Sequence, residues 1–141
     1  MKILNWLKMR EIKFRGKRID NGKWIYGSLI IEEDPIADAF KYFIKPFNFL
    51  DGKLVIPETV GQYTEYNDKN RKEIYEGDIV RCNDEYYAVI IWKRDGFILD
   101  FLDNMGWIPS LQYNAERSDK IEVIGNIYEN PELTVLLSDD A

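Results

Sequence analysis

The chain is 141 residues long and 45% apolar, which suits one domain, or two small ones sharing a core, and excludes wholesale disorder. It has no histidine and one cysteine, Cys82, so Ser-His-Asp and Cys-His catalysis, the commonest zinc ligand and an internal disulfide are all excluded. The net charge of −6 is uneven: residues 1–27 carry eight basic and two acidic side chains, and the remainder carries 11 basic and 23 acidic ones.

Four Trp, nine Tyr and seven Phe favour strands, because aromatic side chains pack well on a pleated surface. Glu11–Arg15 alternates, with Ile12 and Phe14 on one face and Glu11, Lys13 and Arg15 on the other, the pattern of a half-buried strand. Asp20-Asn21-Gly22-Lys23 predicts a type I′ hairpin turn, and Trp24–Ile31 is the return strand. Gly27 within it signals a bulge or a close backbone approach. The stretch from Pro35 to Leu50 reads two ways. Ile36, Phe40, Phe43, Ile44 and Phe47 suit one face of a short helix near 35–45, with Pro35 at its first turn; a loop carrying aromatic side chains fits equally. Asp51-Gly52 is a turn, and Lys53–Ile56 a short strand ended by Pro57.

Val60–Thr64 and Asp78–Cys82 read as strands separated by the charged loop 68–72, the second entered through Gly77. Asn83-Asp84 turns into Tyr86–Trp92, an unbroken apolar run expected of a central strand buried on both faces. Arg94-Asp95-Gly96 leads to Phe97–Phe101, Asp103-Asn104 to Gly106–Ile108, and Ile121–Tyr128 closes the set. Pro131–Leu137 is expected to form one helical turn, with a frayed end at Asp139–Ala141. Strands at this spacing predict a mainly β, antiparallel protein. The expected divisions are an N-terminal extension (1–8), a β-hairpin region with an insert (9–58), a C-terminal β unit (59–130) and a tail (131–141).

Chemistry-bearing motifs are sparse. Cys82 ends a strand with no base to activate it and reads as a buried, inert thiol. Glu73, Glu76 and Asp78 lie close enough in sequence to suggest Mg²⁺, but Glu-Gly-Asp before an apolar strand is more simply a polar turn, with Asp78 bonded to nearby amides. No phosphate-binding glycine loop occurs. No catalytic, cofactor-binding or metal-binding residue is therefore assigned. Lys13, Arg15, Lys17, Arg18 and Lys23 lie beside Trp24 and Tyr26 and form the candidate interaction surface. Basic and aromatic residues so interleaved suit single-stranded nucleic acid, but strand alternation favours a core Phe14 under an outer charge ridge. A pI near 4.8 also disfavours nucleic acid.

Met9–Arg18 followed by Gly22–Gly27, the stretch from Val60-Gly61-Gln62-Tyr63-Thr64 through Glu76-Gly77-Asp78-Ile79-Val80, and Ile124-Gly125-Asn126-Ile127-Tyr128-Glu129-Asn130-Pro131-Glu132-Leu133 together resemble the YopX family of phage and prophage proteins, in the family's order. The resemblance implies a β-rich fold whose second half is a small, partly open barrel similar to the Src-homology-3 type. It implies a phage- or prophage-encoded protein of the bacterial cytoplasm and marks Met1–Lys8 as an extension. It brings no catalytic residue and no cofactor. The expected activity is a non-enzymatic module binding a protein partner or further copies of itself. Nucleic-acid binding through the basic hairpin is the alternative, and no membrane association is expected, since no apolar run reaches the roughly 20 residues of a span.

Overall fold

The computed structural model describes residues 9–94, 96–102, 106–108 and 120–137. Met1–Lys8, Asp95, Asp103-Asn104 and Asp139–Ala141 lie outside them. The described strands are β1 (Phe14–Lys17), β2 (Trp24–Asp34), β3 (Ala39–Lys45), β4 (Lys53–Leu54), β5 (Gly61–Asn67), β6 (Glu73–Tyr75), β7 (Asp78–Cys82), β8 (Tyr86–Lys93), β9 (Gly96–Phe101), β10 (Trp107–Ile108) and β11 (Ile121–Asn126). A 3-10 turn spans Pro57–Thr59, and a short helix, α1, spans Pro131–Leu136. The strands form two antiparallel sheets, ordered β4-β3-β2-β1-β5-β6 and β10-β9-β8-β7-β11.

The first sheet rolls. The Ile19 N–H donates to the Leu54 carbonyl (3.0 Å), the Ile56 N–H donates to the Lys17 carbonyl (2.8 Å), and Arg18 bridges Val55. The chain leaving β4 therefore returns to the chain leaving β1. Inside the roll lie Ile25, Ile44 and Val55, flanked by Phe14, Leu29, Tyr42 and Val60. Gly16 faces this interior. A Cβ there would sit 3.1 Å from both the Ile44 Cδ1 and the Val55 Cβ, so the tightness of the roll depends on a residue without a side chain.

The second sheet is open, with no closed barrel among the described residues, and β8 is its middle strand. Consecutive residues Ala88, Val89 and Ile90 are all buried, as expected of a strand covered on both faces. The core here comprises Ile74, Val80, Cys82, Ala88, Ile90, Leu99 and Ile121. Ile74 belongs to β6, so the end of the first sheet packs directly on the second. The loop after β5 tightens this contact through the buried Asp68. Asp68 Oδ1 accepts the Asn70 and Lys72 amides (2.8 and 2.9 Å), and Oδ2 accepts the Val123 amide of β11 (2.9 Å). With the Lys69 N–H donating to the Ile121 carbonyl (2.9 Å), the loop covers part of an edge strand that would otherwise offer bare backbone.

Three expectations are corrected. Residues 35–45 form no helix: Ala39–Lys45 pairs with β2 from Asp34↔Ala39 to Ser28↔Lys45. Tyr42 and Ile44, two apart, point into the roll, so period-two burial wins over the helical spacing. Asp34 Oδ1 accepts the Ile36 and Ala37 amides (3.1 and 3.2 Å) and shapes a turn at Pro35. Asn21-Gly22 is not a type I′ turn, since only Gly22 of the two has positive φ. That geometry occurs at Asn83-Asp84, where both residues have positive φ and the Glu85 N–H closes on the Cys82 carbonyl (3.1 Å). The first strand is Phe14–Lys17, shifted from Glu11–Arg15. The sheets divide at Glu76-Gly77, after β6, with β5 and β6 in the first sheet.

Replacing Gly16 with Val is expected to cost about 1–3 kcal/mol through overpacking. A shift in the urea midpoint at unchanged m-value measures it, with Gly22→Ala, where a Cβ meets nothing within 4 Å, as the strained but uncrowded control.

Candidate interaction surface at the junction of the sheets

Pairing of β1 with β2 and β5 sets which side chains share a face. Phe14 turns into the roll. Lys13, Arg15 and Lys17 turn to the other face, joined by Trp24 and Tyr26 of β2, Tyr63 of β5 and Tyr75 of β6. Ring contacts confirm this grouping: Tyr26 and Tyr63 lie 5.5 and 5.4 Å from Tyr75, centroid to centroid. The expected alternation holds at Phe14, but this second face is not open to solvent. Asp78 and Tyr128, from the far side of the Glu76-Gly77 link, close over it.

Arg15, expected on an outer ridge, is only 5% exposed. Its guanidinium carbon lies 4.8 Å from the Trp24 ring centre and 4.9 Å from that of Tyr75, a cation held between two π faces. Its Nη2 lies 2.7 Å from Asp78 Oδ1. This is ion-pair distance without good hydrogen-bond alignment, and neither Nη2 nor Nε has an aligned acceptor. Asp78 Oδ2 accepts the Tyr75 amide (2.7 Å), as the turn reading anticipated. Burial raises the Asp78 carboxyl above the ordinary carboxylate range, against the opposing pull of Arg15 and the Tyr75 amide. The pair is thus a desolvated one, whose value lies in fixing geometry more than in net stability.

Three of the other four predicted cations are also occupied. Lys13 pairs with Glu73 and with Glu11 (3.1 Å), and lies 4.8 Å over the Tyr63 ring. Burial works against its charge, but the two carboxylates hold its pKa above the ordinary value. Lys17 meets Glu129 at 3.1 Å, and the Trp24 indole N–H donates to the same carboxylate oxygen (3.0 Å). Arg18 forks onto Asp20 (2.9 and 2.6 Å). Lys23 is exposed, with no acidic partner among the described residues. The basic cluster is therefore real in space, but most of its charge is spent within the molecule.

The acids once suggested for a metal are similarly engaged. Glu73 faces Lys13 and accepts the Tyr75 hydroxyl (3.1 Å), and Glu76 Oε1 accepts the Gln62 amide at 3.4 Å. Among the described residues no group of His, Cys, Asp and Glu has the arrangement to hold an ion. Cys82 is buried, and burial pushes its thiol up to about 11. A polar cleft of about 450 Å³ lies between Lys69, Arg81, Asn83, Asp84, Glu85, Lys120 and Glu122. Its three cations and three acids balance, and Glu122 is held below the usual carboxylate range chiefly by its hydrogen bond from Arg81.

The uncovered apolar surface lies elsewhere, on the least regular part of the sequence. Ile31, Ile36, Phe40, Phe47 and Leu50 are exposed, Ile36, Phe47 and Leu50 almost completely. A shallow apolar groove of about 260 Å³ runs between Ile19, Phe43 and Leu54. The sequence signal for this surface was the run of unplaced aromatics between Pro35 and Leu50; Phe40 shares the face of Tyr42 and Ile44 yet stays exposed, and Ile36, Phe47 and Leu50 sit in the connections on either side of β3. No helix among the described residues is long and apolar enough to cross a membrane.

Removing either half of the buried pair, by Arg15→Met or Asp78→Asn, is expected to cost about 3–5 kcal/mol. The double variant is expected to cost less than the sum, and additive losses in urea denaturation would show that the two do not couple. Tyr26, Tyr63, Tyr75 and Tyr128 are raised above the ordinary phenol value, first by burial. Their contribution is full below the unfolded value of about 10 and lost as pH rises past it. Stability is expected to fall above about pH 10, and less steeply in Tyr75→Phe, as followed by denaturation midpoint against pH.

The comparisons with known proteins agree with this architecture. A solved structure, described as the crystal structure of protein EF1440 from Enterococcus faecalis, is similar at 25% identity and a TM-score of 0.55, covering 89% of this chain and 99% of its own. No curated protein matches the chain. The family model described as YopX protein matches residues 13–134, and by that match over most of its length the chain belongs to the YopX family.

Proposed function

We propose that this chain is a phage- or prophage-encoded, non-enzymatic module that works in a bacterial cytoplasm by binding a protein partner or other copies of itself. The observation that carries this reading is the uncovered apolar surface of the β2–β4 region, where Phe47 and Leu50 are 100% and 95% exposed. Two large apolar side chains left exposed within one short connection, that between β3 and β4, suit a contact surface. The occupied state of the chemically able residues supports the same reading. Glu73, Glu76 and Asp78 each face a protein donor, and the lone thiol is buried. Nucleic-acid binding through the basic hairpin is the weaker reading, because Lys13, Arg15, Lys17 and Arg18 all lie against carboxylates.

Light scattering combined with affinity capture from a bacterial lysate tests this. The expected result is a mass above the monomer or a specifically retained protein, either one lost in Phe47→Ser/Leu50→Ser while the circular dichroism spectrum is unchanged. A strict monomer retaining nothing would overturn the reading. A salt-sensitive complex with single-stranded DNA or RNA, weakened by neutralising Lys13 and Lys17, would replace it with the alternative.

A further inference from the structure

β1 pairs with β2 only from Phe14↔Gly27 to Lys17↔Trp24. Before Phe14 the chain turns to β5, where the Tyr63 N–H donates to the Lys13 carbonyl (2.9 Å). From Ser28 to Asp34, β2 keeps β3 on one side and has no ladder on the other among the described residues. The backbone direction along this edge follows from its neighbours. The Val55 N–H donates to the Tyr42 carbonyl, so Tyr42 turns its backbone groups to β4 and away from its partner Ile31. In an antiparallel ladder such a pair is not hydrogen-bonded, and its two residues point their backbone outward. Leu29, Ile31 and Glu33 therefore present N–H and C=O groups along a strand edge that no described strand pairs with.

A long free edge is a template for another strand. Natural edges are protected by charge, and this one carries Glu32 and Glu33, both exposed and neither in an ion pair among the described residues. Lys41, opposite Glu32, is bound to Asp34 at 3.3 Å. The exposed Ile31 sits between leucine and glutamate on the same edge. With most cations of the first strands neutralised internally and a net charge of −6, the chemistry that fits this edge is basic and extended.

We propose that β2 binds an extended, basic segment of a protein partner as an added antiparallel strand along Leu29–Glu33. Backbone hydrogen bonds to Leu29, Ile31 and Glu33 give the affinity, alternate Lys or Arg side chains meet Glu32 on one face, and the intervening apolar side chains lie on Ile31 on the other. This rests on the reading of the chain as an interaction module and names its mode and partner class.

The test uses the full chain and a capped octapeptide of alternating Lys and Val as probe, titrated by fluorescence anisotropy. Binding is expected to weaken with salt and to slow amide exchange at Ile31. Ile31→Pro removes one outward N–H and no β3 hydrogen bond, so the fold, checked by circular dichroism, is expected to persist while affinity falls about tenfold or more. Glu32→Lys is expected to do the same, and an octapeptide of alternating Glu and Val is expected not to bind. The proposal is overturned by no binding of the Lys-Val probe at millimolar concentration, by equal affinity for Ile31→Pro, or by protection of the Ile31 amide in the free monomer, which would mean that the chain covers its own edge. A lysate partner still held by Ile31→Pro but lost in Phe47→Ser/Leu50→Ser would sink the strand-addition mode and leave the interaction module standing.

Discussion

Two residues, Glu76 and Gly77, separate the last strand of one sheet from the first strand of the next, and the Arg15–Asp78 pair fixes how they meet. Arg15 sits on the first strand of the chain, and Asp78 opens the second sheet. Neither charge reaches water freely, so each constrains the other. Gly77 has φ +92°, and a Cβ there would sit 2.9 Å from the Tyr128 ring. Its N–H donates to the Ile90 carbonyl, and its carbonyl accepts the Ile127 N–H. The connector is therefore held on both backbone groups by the second sheet while Asp78 holds the first.

This arrangement explains why the aromatic content is high where the sheets join. A buried guanidinium without aligned acceptors would be costly in an aliphatic pocket. Between Trp24 and Tyr75 it meets electron-rich faces. The same cluster accounts for Glu129, which ties Lys17 and the Trp24 indole to the segment leading into α1. The C-terminal turn is anchored by Asn126, whose side chain accepts the Tyr128 and Glu129 amides (3.0 and 2.8 Å).

The surface available for contact is accordingly displaced from where basic and aromatic residues first suggested it. Lys13, Arg15, Lys17, Trp24 and Tyr26 do gather on one face. That they gather is why they are unavailable: acids from three later segments converge on the same face. Among the described residues the β2–β3 hairpin runs beyond β1, so its backbone edge stays open, and Ile31 and Phe40 on it are exposed. A two-stranded ribbon of this kind gains little from its own packing, and added strands or covering side chains would stabilise it.

Strand alternation, turn residues and aromatic content were enough to determine a mainly β, antiparallel chain, the central strand at Tyr86–Trp92, the buried thiol and the turn role of Asp78, because each is written in residue type and spacing over a short stretch of chain. The motifs at Met9–Gly27, Val60–Val80 and Ile124–Leu133 were enough to place the family. Alternation also states which side chains share a face, as Lys13 and Arg15 do, but it is silent on whether a second layer covers that face. That depended on Asp78 and Tyr128 arriving from more than 60 residues away. The Asp34–Lys45 segment was ambiguous for the same reason: its apolar spacing suits a helix locally, and only pairing with β2 made it a strand. Long-range packing, set by the rolled first sheet and the Glu76-Gly77 link, decided which charges are buried and which strand edge is left free.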